Sequence, residues 1–264
     1  MANYTLITGA TGGLGKAFVF NLINSENNFL LTGRSQEKLN ILKKELLEIN
    51  KDAQILVCPC NLEKESDREL FFEFAKNNNV KISKLINVAG CDIQKPFIKY
   101  NQDKIVFQSR VTYESVVSFT LFSLDNRAEK LEILTISSIC GNTDIPYFAI
   151  YSSLKMAVKS FFNSLRYELR KDKSIVITTI LPGSIPTRAD VIEDIKKQGL
   201  QGKLSSLSPE IVAEKSLKAL KKRKKNYIPG FYNKIVNFFQ VLTPKFIKMK
   251  ITSTKFSKKE KDAF

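Results

Sequence analysis

Alternation constrains this chain more than any other feature. Short apolar runs at residues 4–8, 29–32, 54–58, 84–87, 131–137 and 175–181 are separated by longer stretches with apolar residues at helical spacing. The clearest of these spans 35–50, where Leu39, Leu42, Leu46 and Ile49 recur on one face. Strands that alternate with helices pack as a parallel sheet with right-handed crossovers. The expected fold is therefore α/β: a doubly wound parallel sheet with helices on both faces, ending in a short strand at 226–228. Residues 1–228 form the expected sheet domain, and 229–264 read as a separate basic, amphipathic extension. Sheets of this kind bind ligands beyond the carboxyl ends of their strands.

The motif glycines, Asn87, Ser138 and Pro182 fall at those strand ends, and two groups of residues carry chemistry. Thr8-Gly9-Ala10-Thr11-Gly12-Gly13-Leu14-Gly15 follows the first strand and opens a helix striped by Ala17, Phe18, Leu22 and Ile23. Glycines there permit a tight turn and close approach of the backbone to a pyrophosphate, and the helix N-terminus supplies N–H donors. Farther along, Tyr151 and Lys155 are four residues apart, which stacks them on one helix face. A free phenol titrates near 10, too high for proton transfer at neutrality. A neighbouring ammonium is expected to lower it. Ser138 follows the apolar run 131–136, where its hydroxyl is placed to hold a carbonyl oxygen beside the phenol.

Thr8-Gly9-x-x-x-Gly13-x-Gly15, Asn87-Val88-Ala89-Gly90, Ser138, Tyr151-x-x-x-Lys155 and Pro182-Gly183 occur in one order and spacing over residues 3–228. In this the chain resembles the short-chain dehydrogenase/reductase family. The resemblance implies a Rossmann-type fold, a nicotinamide cofactor and hydride transfer to or from a carbonyl or alcohol. It assigns catalysis to Ser138, Tyr151 and Lys155, with Ser138 also binding substrate. It assigns cofactor binding to Thr8, Gly9, Gly13, Leu14, Gly15, Asn87, Ala89, Gly90, Tyr151, Lys155, Pro182 and Gly183. Asn61 and Leu62 stand where the family often carries an acid beside the adenine.

Cofactor choice turns on the second strand. An acid after it would accept the ribose hydroxyls of NAD(H), and a cation would hold the 2′-phosphate of NADP(H). No acid lies between Glu26 and Glu37, and Arg34 follows the strand directly. NADP(H) is the expected cofactor.

One position departs from the family, which usually has an asparagine in the helix after the fourth strand, organising a water relay to the lysine. Apolar spacing over 105–117 puts Arg110 there, or else Ser109. A second cation beside Lys155 would leave open a nucleotide-binding regulatory protein with weak turnover.

The chain has no histidine, which removes Ser-His-Asp and Cys-His machinery and any imidazole-based metal site. No metal is expected. Cys58, Cys60, Cys91 and Cys140 read as reduced thiols. No apolar run is long enough to span a bilayer, and the first strand begins too early for a signal peptide. A cytoplasmic protein, with contact to a membrane surface left open, is expected.

The charge is uneven. From Lys215 onward there are fifteen Lys/Arg and two acids, which carries most of the net +16. Phe231, Ile235, Phe238, Phe239 and Leu242 follow at helical spacing. Such a segment suits an anionic membrane surface. It equally suits packing on the catalytic core or on a second subunit of a homo-oligomer. Nucleic-acid binding is a weaker option, because no recognised module surrounds the basic run. The expected substrate is a small carbonyl or alcohol with an apolar body, such as a steroid or acyl chain.

Overall fold

The computed structural model describes residues 2–257, 260 and 262. Its first half alternates without interruption: β1 (Asn3–Thr8), α1 (Gly13–Leu22), β2 (Asn28–Gly33), α2 (Gln36–Ile49), β3 (Gln54–Pro59), α3 (Glu65–Asn77) and β4 (Lys81–Asn87). Next come α4 (Gln102–Ser109), a π turn (Arg110–Glu114), α5 (Ser115–Asp125), β5 (Arg127–Ile136), α6 (Ala149–Glu168) and β6 (Ile175–Ile180). The chain ends with α7 (Ala189–Lys197), α8 (Gly199–Ser205), α9 (Pro209–Lys221), β7 (Asn226–Tyr227), α10 (Phe231–Leu242) and α11 (Lys245–Phe256).

The seven strands form one parallel sheet in the order β3, β2, β1, β4, β5, β6, β7. Strand order reverses between β1 and β4, so their carboxyl ends diverge into the crevice where ligands bind. Both sheet faces are covered, as continuous apolar strands require. On one side Phe18, Leu22, Leu42, Val212 and Leu220 from α1, α2 and α9 are buried. On the other Phe71, Phe119 and Phe162 from α3, α5 and α6 are buried, with Phe72 and Phe122 stacked 4.5 Å apart. Serine hydroxyls cap two helices: Ser35 accepts from Lys38 N (3.2 Å), and Ser208 accepts from Ile211 N (3.4 Å).

One segment differs from expectation. β5 begins at Arg127, before its apolar run, because a polar arm pairs with Ile82 across a bulge. The glycine-bearing stretch after β6 folds into α7 and α8. No helix among the described residues is long and apolar enough to cross a membrane.

Candidate active site

The glycine loop is shaped by close approach. Gly9 has φ +67°, and a Cβ on Gly15 would stand 2.1 Å from the Gly9 carbonyl oxygen, so the backbone there admits no side chain. The Thr8 hydroxyl accepts from Val88 N (3.2 Å), which ties the loop after β4 to the loop after β1. Asn87, at the end of β4, donates through Nδ2 to the Thr135 hydroxyl (3.3 Å), while its buried Oδ1 has no partner.

These loops border a cavity of about 330 Å³, lined by Gly9, Gly13, Leu14 and Gly15 on one side. Arg34, Asn61, Leu62, Ala89 and Gly90 also line it. Arg34 is exposed at the end of β2 and makes no ion pair among the described residues. The Asn61 side chain is committed locally, its Oδ1 accepting from Glu63 N (3.2 Å). The open glycine cradle, the unpartnered Asn87 oxygen and the available cation fit a nicotinamide dinucleotide.

A second cavity, about 500 Å³, shares Leu14, Gly90, Thr187 and Arg188 with the first and holds Ser138, Tyr151, Lys155, Pro182 and Gly183. Every residue expected at the site from the sequence therefore lines one of two contiguous cavities, or, as with Thr8 and Asn87, braces their walls.

Lys155 is 3% exposed, and its Nζ donates to the Ile136 carbonyl (2.9 Å) and stands 5.8 Å from the Tyr151 ring centre. Two contacts seat it. The Ser137 hydroxyl donates to the Lys155 carbonyl (2.8 Å), and Gly141 lies so close that a Cβ would come within 2.8 Å of the same backbone. Gly90 faces the ammonium, where a Cβ would stand 3.1 Å away. The Ser138 hydroxyl accepts from Cys140 N (3.1 Å) and lines the same cavity as the Tyr151 phenol.

The electrostatics reverse one expectation. The Tyr151 phenol is raised well above its ordinary 10, chiefly by burial, with the Ser138 hydroxyl acting in the opposite direction. The Lys155 ammonium, which donates to the Ile136 carbonyl, does not offset that rise. Burial also takes Lys155 from 10.5 down to about 8. Burial likewise lifts Cys91 to about 11 and raises Cys140, so neither thiol is a ready thiolate.

Arg110 is also not where apolar spacing puts it. It faces outward, donating to the Glu63 carbonyl (3.4 Å) and pairing with Glu114 (3.7 Å). The π turn inserts a residue and rotates the following positions, so counting at helical spacing fails there. The residues turned toward the loop after β4 are Thr112, whose hydroxyl accepts from Cys91 N (3.5 Å), and Gln108, which donates to the Cys91 carbonyl (3.3 Å).

Three parts of the site went unread in the sequence. Phe148 stacks on Tyr151 (ring centres 4.4 Å apart), and Phe256 from α11 stacks in turn on Phe148 (5.8 Å). Asp92 pairs with Arg188 (2.6 Å), clasping the loop after β4 to the loop after β6 across the junction of the cavities. Asn233 of α10 packs against Gly183, where a Cβ would meet its Oδ1 at 2.7 Å. The position of Asp92, two residues after the Asn87–Gly90 motif, was the one available signal; contacts from the C-terminal helices leave none in local spacing.

Residues 3–197 match the family model described as short chain dehydrogenase. The chain is 28% identical over 192 residues to dehydrogenase/reductase SDR family member 7 of Mus musculus, covering 71% of this chain and 56% of that protein. It is 27% identical over 198 residues to a very-long-chain 3-oxooacyl-coA reductase of Caenorhabditis elegans, covering 73% and 62% respectively. The matches thus span little more than half the length of these relatives. Among solved structures, a short chain dehydrogenase from Burkholderia cenocepacia in complex with NADP superposes with a TM-score of 0.73 at 15% identity, covering 86% of this chain and 95% of that one. At that identity the likeness concerns the fold.

Proposed function

The chain belongs to the short-chain dehydrogenase/reductase family, and from that premise we propose that it is an NADP(H)-dependent carbonyl reductase acting on a bulky, largely apolar ketone. One observation carries the reading: Ser138, Tyr151 and Lys155 together line the larger cavity, which adjoins the glycine-lined one.

Gly9, Gly13, Leu14 and Gly15 would receive the pyrophosphate, and Arg34 the 2′-phosphate. Asn61, Leu62, Asn87, Ala89, Gly90, Pro182 and Gly183 would border the remainder, with Thr8 holding the loops together. A nicotinamide cofactor bound there supplies the hydride. The protein supplies the proton. Because burial raises the Tyr151 phenol, it is protonated at neutral pH and poised as a general acid. Ser138 holds the carbonyl oxygen beside it. Lys155, still cationic below about 8, would hold the nicotinamide ribose through its ammonium.

The apolar substrate rests on the walls of the larger cavity, which include Ile139, Ile145, Phe148, Ile185, Val191 and Phe256. Its volume, about 500 Å³, lies within the range of small-molecule sites. A relative named as a very-long-chain 3-oxooacyl-coA reductase supports the same substrate class. On this reading residues 1–228 carry the chemistry and 229–264 complete the substrate cavity. The regulatory alternative loses its argument, since Arg110 places no second cation beside Lys155.

The test is a panel of steroid, long-chain and small ketones followed by NADPH absorbance. Turnover is expected with the bulky apolar members, and Tyr151→Phe should reduce it by about 10²-fold or more while sparing NADPH affinity. Near wild-type turnover in the variant would remove Tyr151 from the reaction.

A further inference from the structure

Helix α10 is turned inside out. A surface helix normally buries its apolar stripe and exposes its polar one. Here Asn233 is 1% exposed, and the face toward the core continues with Val236, Asn237 and Gln240. The apolar stripe faces away: Phe231 is 79% exposed, Phe238 60%, Phe239 61% and Leu242 63%.

Hydrogen bonds fix that orientation. Asn233 Nδ2 donates to the carbonyls of Ser205 and Pro229 (both 3.1 Å), and Asn142 Nδ2 donates to Asn237 Oδ1 (2.5 Å). Gly183 leaves room for Asn233, and Gly230, with φ +88°, starts the helix against Leu207. Rolling α10 to bury its phenylalanines would break each of these bonds and strand Asn233 and Asn237. The stripe therefore stays outside. α11 extends the patch with Phe246, 74% exposed, before Phe256 turns inward onto Phe148.

A contiguous apolar patch of this kind marks an interaction surface. Charge selects its occupant. Residues 231–257 hold five lysines and no acid, within a chain of net charge +16. Two copies meeting through this face would bring these lysines together. An anionic lipid surface accepts both features, taking the rings below the headgroups and the lysines at the phosphates.

We propose that the outer face of α10 and the first turns of α11 dock on an anionic membrane surface. The inner faces of the same helices line the larger cavity through Val236, Gln240, Thr252 and Phe256. Docking thus sets the cavity beside the bilayer, where an apolar ketone would be dissolved. That last clause rests on the reductase reading; the docking does not.

The full chain is sedimented with phosphatidylcholine vesicles, with and without about one third phosphatidylserine, at about 0.1 M and 0.5 M salt. Binding is expected only with phosphatidylserine, falling at least about tenfold at the higher salt. Phe238→Ser with Phe239→Ser, which changes no charge and touches no cavity wall, should weaken binding by at least about tenfold at unchanged melting temperature and NADPH affinity. Failure of the full chain to bind phosphatidylserine vesicles overturns the proposal. So does a double variant that binds as well as wild type. A dimer dissociated by the double substitution would assign the face to a second copy, also overturning it. None of these readouts uses turnover, so they stand apart from a failure of the reductase reading.

Discussion

Replacing Lys155 by Met should remove activity while changing how stability depends on pH. Burial holds the ammonium at about 8 against an ordinary 10.5. At 1.36 kcal/mol per pKa unit, holding the charged lysine in the fold costs about 3 kcal/mol at pH 7. The Met variant should then be at least about as stable as wild type at pH 7. The sign of the pH effect follows from the depressed value. Below about 8 the lysine is charged in both states and the whole cost is present. Between about 8 and 10.5 the folded chain has lost the proton while the unfolded chain still binds it, so the cost declines as pH rises. Wild type should gain roughly 2–3 kcal/mol on the variant between pH 7 and 10. Urea unfolding of both proteins at the two pH values measures the gap. A constant gap, or one that moves toward the variant, would refute a buried, depressed lysine.

Arg34→Ala should weaken NADPH about 1.5–3 kcal/mol more than NADH, read by fluorescence titration; equal losses would mean Arg34 does not hold the phosphate. Gly15→Ala forces a Cβ to within 2.1 Å of the Gly9 oxygen, and the backbone shift should cost about 1–3 kcal/mol by calorimetry and lower dinucleotide affinity. An unchanged melting temperature would mean the loop relaxes freely. Phe256→Ala removes the stack on Phe148, worth about 0.5–1.5 kcal/mol, and should raise KM with kcat preserved. A fall in kcat alone would place Phe256 in the chemical step instead.

What the sequence revealed followed periodicity and local spacing. The strands and the glycine loop were readable because buried parallel strands are short apolar runs and the phosphate turn tolerates few residues besides glycine. The convergence of Ser138, Tyr151 and Lys155 was readable because Ser138 ends its strand and the other two are four apart on one helix face. Three features were not. Helical spacing placed Tyr151 and Lys155 together, but the direction of the phenol's shift depends on burial, which spacing does not carry. The π turn at Arg110–Glu114 defeated residue counting along its helix. Periodicity also identified the apolar stripe of α10 without revealing which way it faces, because buried asparagines on the opposite face decide that.

The central claim is that hydride passes from the nicotinamide to a carbonyl carbon in the larger cavity while Tyr151 supplies the proton. It is tested most directly with NADPH deuterated at C4 and an apolar ketone accepted by the enzyme, reading the product alcohol by mass spectrometry. Deuterium bound to the carbinol carbon is expected, formed about 10²-fold more slowly or worse by Tyr151→Phe. Alcohol without deuterium on that carbon, or formed as fast by the variant, would contradict it.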